Sequence, residues 1–183
     1  MTLVIETGRL KLVPATVAHA RAEIGDRAKF ARLLSARVPD NWPPESTVDA
    51  LPLFLEWLEA APDSVGWFGW YALRRDEDAS ALVLVGGVGF LGPPREGQVS
   101  MGYSVLPQFQ GSGFATEMAG ALVQWAWRQH VVTRIVAETE WVNPSSVRVL
   151  NKLGFVETGA STEQPGGARF ELTHAAYARD TVP

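Results

Sequence analysis

The sequence predicts a mixed α/β fold, in which an antiparallel meander of strands gives way to strand–helix units within one sheet. Three observations predict it. Residues 67–73, 81–91 and 98–105 are strand-like segments joined by short turns. Within the third, Val99, Met101, Tyr103 and Val105 alternate with smaller or polar residues, the period of a half-buried strand. After Leu106-Pro107 and a turn carrying Gly111 and Gly113 the period changes. Met118, Ala121, Leu122 and Trp125 recur at helical spacing, with Glu117, Gln124 and Arg128 on the other side.

The remaining elements follow in order. Residues 3–13 read as a first strand interrupted near Gly8, and residues 16–37, rich in Ala, Arg, Leu and Glu, as one or two helices. Three prolines among residues 39–44 make that stretch a loop, because proline breaks helices and ladders alike. Ser46 or Thr47 is a candidate cap for the next helix, whose Leu51, Phe54, Leu55 and Leu58 share a face and which Pro62-Asp63 ends. Residues 74–78 form a charged turn. Residues 81–91 are a nearly unbroken apolar run with three glycines, as a central strand buried on both faces requires. Residues 116–129 form a helix and 134–141 another strand. Asn143 then stands in a capping position with Pro144 in the first turn of a helix. Ser146, Val149, Leu150 and Leu153 share one face of it, and Gly154 stops it. Phe155-Val156 begins the next strand, 161–167 is a polar loop and 169–172 is a last strand.

Composition narrows the function. At 183 residues and 46% hydrophobic the chain suits one domain, residues 1–183, with a sizeable core. A net charge of −4 without any basic cluster argues against a nucleic-acid partner. No apolar run reaches membrane-spanning length and the start lacks a signal-peptide layout, so a cytoplasmic location is the default expectation. With no cysteine, disulfides, thiolate metal sites and a cysteine nucleophile are excluded. The three histidines are not at metal spacing, so no metal is expected. Seven tryptophans suggest a large core or an apolar cleft.

The turn Gln110-Gly111-Ser112-Gly113-Phe114-Ala115 carries the chemistry. Glycine lets a ligand approach the backbone, and the first amides of the following helix, with its dipole, suit a phosphate or pyrophosphate. A glycine-softened connection that binds nothing is the alternative, since such motifs are weak alone.

Two blocks together say more. The 110–115 turn resembles the Gln/Arg-x-x-Gly-x-Gly/Ala signature of the GCN5-related N-acetyltransferase superfamily. The 143–155 stretch, from Asn143 through Leu150 to Gly154-Phe155, is similar to its asparagine-to-glycine-phenylalanine helix. Glu6-Thr7-Gly8-Arg9-Leu10-Lys11-Leu12 resembles the opening of its ribosomal-protein N-terminal acetyltransferase branch. The resemblance implies a mixed sheet, antiparallel then parallel, splayed around an acetyl-CoA cleft with helices on both faces. It implies acetyl-CoA as acetyl donor and a primary amine as acceptor, either small or at a peptide or protein N-terminus. Backbone groups of Tyr103 and Val105 would pair with the pantetheine arm, and the loop of Gln110, Gly111, Ser112, Gly113, Phe114 and Ala115 would hold the pyrophosphate. Asn143 would bond the pantetheine arm, a role that competes with capping its own helix.

The sequence also departs from family patterns. Leu150 stands where many members place a tyrosine that protonates the leaving thiolate, which leaves Ser146, one turn earlier, as the candidate acid or a plain helix residue. Ser100 stands where related sequences often carry a glutamate base. Glu138 and Glu140 face away from Ile135, Ala137 and Thr139. Either could hold the incoming amine or a water, Glu138 as a catalytic candidate and Glu140 as a substrate-binding one, or both are solvated surface carboxylates. Trp42, on a proline-rich loop, is expected to meet the acceptor unless it folds back over the core.

Other classes remain. Gly111-x-Gly113 and Glu138 imitate a dinucleotide fingerprint, but Thr116 replaces its third glycine and an antiparallel meander precedes it. A CoA-binding sensor without transferase activity fits Leu150 and Ser100. The oligomeric state, a homodimer included, is open.

Overall fold

The computed structural model describes residues 3–75, 81–162 and 165–180. The apolar run becomes β5 (Leu82–Phe90), which sits inside the sheet with β4 (Gly69–Arg75) on one side and β6 (Gln98–Val105) on the other, both antiparallel. Its glycines allow close approach: a Cβ on Gly86 would lie 2.4 Å from the Ser104 carbonyl oxygen. Of the expected charged turn after β4, positions 76–78 lie outside the described residues, as do 163 and 164 of the polar loop.

The interruption at Gly8 is a hairpin turn between β1 (Ile5–Glu6) and β2 (Leu10–Pro14), with Ile5 opposite Leu12. β2 continues the sheet against β4. Two helices follow, α1 (Val17–Gly25) capped by Thr16 and α2 (Arg27–Leu34) capped by Asp26. A two-residue strand that periodicity could not show, β3 (Ala36–Arg37), pairs in parallel with the start of β5. The single helix expected next is split into α3 (Glu45–Val48) and α4 (Leu51–Ala60). The cap expected from Thr47 does not form. α4 has no side-chain cap and the Thr47 hydroxyl donates to the Pro44 carbonyl, while the Ser46 side chain lies outside the described residues.

Beyond β6 come α5 (Phe114–Arg128), β7 (Arg134–Glu140), α6 (Pro144–Lys152), β8 (Val156–Ala160), β9 (Gly167–Thr173) and an unanticipated α7 (His174–Asp180). The Thr173 hydroxyl accepts the Ala176 amide at the start of α7, and Tyr177 packs near Trp127. The sheet order is β1-β2-β4-β5-β6-β7-β9-β8. β6 and β7 pair in parallel, whereas β7–β9 and β8–β9 are antiparallel.

Alternation along β4 builds both layers. Trp70 and Ala72 join the core under α5, with Met118, Leu122 and Ala126; Tyr71 and Leu73 join the core under α1, α2 and α4, with Phe30, Leu34 and Leu58. Trp67, Trp70, Phe90 and Trp125 meet ring to ring in the first, which accounts for much of the tryptophan count. No helix among the described residues is long and apolar enough to cross a membrane.

Trp42 belongs to the second core, which corrects its reading as a loop aromatic open to a ligand. It is 8% exposed and packs edge-on to Tyr71 at 6.3 Å between ring centroids. Its indole N–H donates to Glu23 Oε1 at 2.7 Å, and the Tyr71 hydroxyl donates to Glu23 Oε2 at 2.6 Å. The polar partner is inside the protein, so the ring turns inward. Burial raises the pKa of Glu23, and the bonds from Tyr71 and Trp42 offset only part of that.

Glu23 therefore binds its proton more tightly folded than unfolded. Its contribution to stability is complete below the ordinary value of 4.5 and is lost as pH rises through the raised one. The difference in unfolding free energy between wild type and Glu23→Gln, measured by urea melts, is expected to fall as pH rises across that window. A pH-independent difference would exclude the linkage.

Candidate active site

The cleft originates where β6 leaves β7. Their pairing covers only Gln98–Ser100 against Arg134–Val136, and past Ser100 the two strands diverge. Leu91 N–H donates to Ser100 O and Leu106 N–H to Val85 O, so the even-numbered residues of β6 turn their backbone groups to β5. Those of Tyr103 and Val105 consequently point into the gap. This unpaired edge can accept an extended chain as an added strand. One of its groups is already engaged: the Gln110 amide donates to the Val105 carbonyl at 3.0 Å, so a ligand pairing there must displace it.

A groove of about 1140 Å³ follows this edge, lined by Tyr103, Val105, Gln110, Gly111, Gly113, Phe114, Ala115, Asn143 and Ser146 among others. The turn at its end is shaped by two left-handed glycines, Gly111 at φ 75° and Gly113 at φ 81°. Gly113 caps α5 without a side-chain bond, and the first bond of the helix runs from Glu117 N–H to Gly113 O. The amides of the first turn are therefore left for another acceptor. Ser112, between the two glycines, does not line the groove; its carbonyl accepts from Arg9 Nη1 at 2.9 Å. The opposite wall is Asn41, Pro43, Pro44, Glu45 and Val48. That loop is pinned by paired amide bonds between Asn41 and Gln108 and by the Arg27 guanidinium on the Val38, Pro39 and Trp42 carbonyls.

A smaller cavity of about 320 Å³ adjoins it, lined by Met101, Gly102, Tyr103, Glu138, Thr139, Glu140, Asn143, Ser146 and Leu150 among others. Tyr103, Asn143 and Ser146 border both spaces. There the Tyr103 hydroxyl lies 2.9 Å from Ser146 Oγ and also donates to the Ser146 carbonyl at 3.1 Å. Burial raises the Tyr103 pKa, with the Ser146 bond opposing, so the phenol stays protonated near neutrality. The Tyr103 hydroxyl is a site group that sequence reasoning missed, having used this residue only for its backbone. Its signal was the alternation itself, which aims Tyr103 at the face bearing α6.

The other candidates take definite places. Asn143 Oδ1 accepts the Ser146 amide at 3.1 Å, so in this structure its oxygen is the helix cap. Leu150 is fully buried. Glu138 is no solvated carboxylate: it accepts from Thr162 at 3.1 Å, from the Ser161 hydroxyl and from Arg169 at 3.4 Å. Glu140 is exposed at the cavity mouth.

Comparison with known proteins bears on the family and the fold. The family model for the acetyltransferase (GNAT) domain matches residues 9–156. A Bacillus subtilis (strain 168) protein described as the uncharacterized N-acetyltransferase YjdG is 30% identical over 162 residues, covering 88% of this chain and 94% of that protein. Among solved structures, a putative ribosomal-protein-serine acetyltransferase from Vibrio cholerae aligns with TM-score 0.61 at 19% identity, covering 94% of this chain and 99% of the other. Mutant forms of the spermidine/spermine N-acetyltransferase SpeG from Vibrio cholerae align with TM-score 0.62 at 16% identity, covering 95% and 100%.

Proposed function

The chain belongs to the GNAT acetyltransferase family and is an N-acetyltransferase, and on that premise we propose that it moves the acetyl group of acetyl-CoA to a primary amine by direct attack in a ternary complex. One observation carries the reading: the groove suited to the donor and the smaller cavity meet at the Tyr103 and Ser146 hydroxyls. A reactant in each space would have its reacting end at the same point.

The chain's groups divide the work. The open edge at Tyr103 and Val105 and the amides of the 111–115 turn suit an extended arm ending in a pyrophosphate. Acetyl-CoA supplies an activated thioester. Ser146, in the first turn of α6, would donate a hydrogen bond to the sulfur as negative charge gathers there, aided by the helix dipole. Tyr103 holds the Ser146 hydroxyl in place and, by turning its one O–H from the Ser146 carbonyl to Oγ, would leave the serine proton free for the sulfur.

The acceptor would enter the smaller cavity past Glu140, whose charge attracts an ammonium. Glu138 is held by Arg169 and two hydroxyls and is better suited to fixing charge, or a water, than to taking a proton directly. Without a strong base the acceptor must be partly neutral by itself. A peptide α-amine, with a reference pKa of about 7.7–8.0, meets that condition better than a lysine amine at about 10.4. The two Vibrio cholerae structures share the fold at identities too low to choose between a peptide and a polyamine.

Acetyl-CoA is expected to raise the melting temperature and NAD to leave it unchanged, since only a ligand of the folded state stabilises it. Stabilisation by NAD alone would overturn the reading. With thiol release from acetyl-CoA followed against N-terminal peptides and polyamines, Ser146→Ala should lower kcat by roughly ten- to a thousandfold and change CoA affinity little. An unchanged kcat would make Ser146 a helix residue only, and binding without turnover on any amine would favour a CoA-binding sensor. A Cβ on Gly102 meets nothing within 4 Å and intrudes only on the smaller cavity. Gly102→Val is accordingly expected to raise the amine KM about tenfold and to spare that of acetyl-CoA. The opposite split would place the acceptor elsewhere.

A further inference from the structure

We propose that Arg9, in the turn between β1 and β2, is a positioning residue for the pyrophosphate of acetyl-CoA, because it holds the Ser112 carbonyl outside the groove and so aims the Gly113 amide into it. The inference rests on the reading of the 111–115 turn as the pyrophosphate site.

The contacts form a closed set. Arg9 Nη1 donates to Ser112 O at 2.9 Å, while Arg9 Nε and Nη2 both reach Glu117 Oε2 at 2.7 Å. The Arg9 backbone N–H and the Thr7 hydroxyl donate to Glu117 Oε1, at 2.9 and 2.6 Å. The guanidinium also lies over the Phe114 ring, 4.7 Å from its centroid. The β1–β2 turn is thereby tied to both the bend and the first turn of α5.

Two physical consequences follow. In a trans peptide the C=O and the next N–H point in opposite directions. A Ser112 carbonyl held by Arg9 therefore turns the Gly113 N–H to the other side, where Gly113 lines the groove and Ser112 does not. The restraint matters because Gly111 and Gly113 flank that peptide, and glycines leave a turn with several accessible conformations. The second consequence is electrostatic. Glu117 suits the N-terminal turn of a helix but sets a negative charge beside an anion site. The bonds from Thr7 and Arg9 and the Arg9 charge outweigh its burial and hold its pKa below the usual range, so the cation that orients the turn also balances this carboxylate. Arg9 does not itself border the groove, so it acts through the turn and not as a phosphate ligand.

The test compares donors that do and do not carry the pyrophosphate, in the full chain. Arg9→Met should raise the Kd for CoA and the KM for acetyl-CoA about tenfold, and leave turnover with S-acetylpantetheine within twofold of wild type. Arg9→Lys, which keeps the charge but cannot reach Glu117 and Ser112 together, should show the same split, and it carries the comparison should Arg9→Met fail to fold. CoA affinity within twofold of wild type in a folded variant overturns the proposal, as does an equal loss with both donors. If wild type binds CoA no better than S-acetylpantetheine, the pyrophosphate reading falls first and the proposal with it.

Discussion

The separation of β6 from β7 after three paired residues is the constraint on which the rest of the structure depends. A sheet interior normally satisfies every backbone group by pairing with a neighbour. Here the outer groups of Tyr103 and Val105 are released, and the chain uses them as the floor of a groove. The Gln110 amide on the Val105 carbonyl covers part of that edge with a side chain that can swing away. A surface built from backbone groups is insensitive to side-chain identity.

The two helices that begin at the groove give the splayed edge its polarity. α5 starts at Gly113 with free amides, and α6 starts at Pro144 with Asn143 holding the Ser146 amide. On the proposed reading one end of the groove suits a phosphate, and the other places hydroxyls near the thioester sulfur. Tyr103 brings a phenol to Ser146 from the strand, while α6 itself carries the buried Leu150. A hydroxyl at this point is a property of the junction between β6 and α6.

The remaining wall shows how polar side chains fix a loop that lacks secondary structure. Residues 38–44 are held by Arg27 on three carbonyls, by Glu23 on the Trp42 indole and by Gln108 on Asn41. Of these groups the Trp42 indole is buried, and leaving it unpaired inside the protein would cost about 1–3 kcal/mol. The sequence pointed to this loop through its prolines, and the tertiary structure decided that Trp42 anchors it from beneath.

Periodicity alone determined the meander, the helix after the glycine turn, the Asn143 helix and the outward pairing of Glu138 with Glu140, because these depend on residues a few positions apart. The motif residues Gly111, Gly113, Asn143 and Ser146 were legible for the same reason: a turn and two helix starts are local chemistry. Strands as short as β3, the split between α3 and α4, and α7 carry too few residues to show a period, and packing decides them. The connections of side chains 19 to 108 residues apart were decided only by the tertiary structure. Arg9 with Ser112 and Glu117, Tyr103 with Ser146, Glu138 with Arg169 and Trp42 with Glu23 each join segments with no local signal of the other. A charged or hydroxyl side chain has several possible partners in a chain of 183 residues. The folded sheet brings each of these within hydrogen-bond reach of particular partners, and that proximity turns residue types into a site.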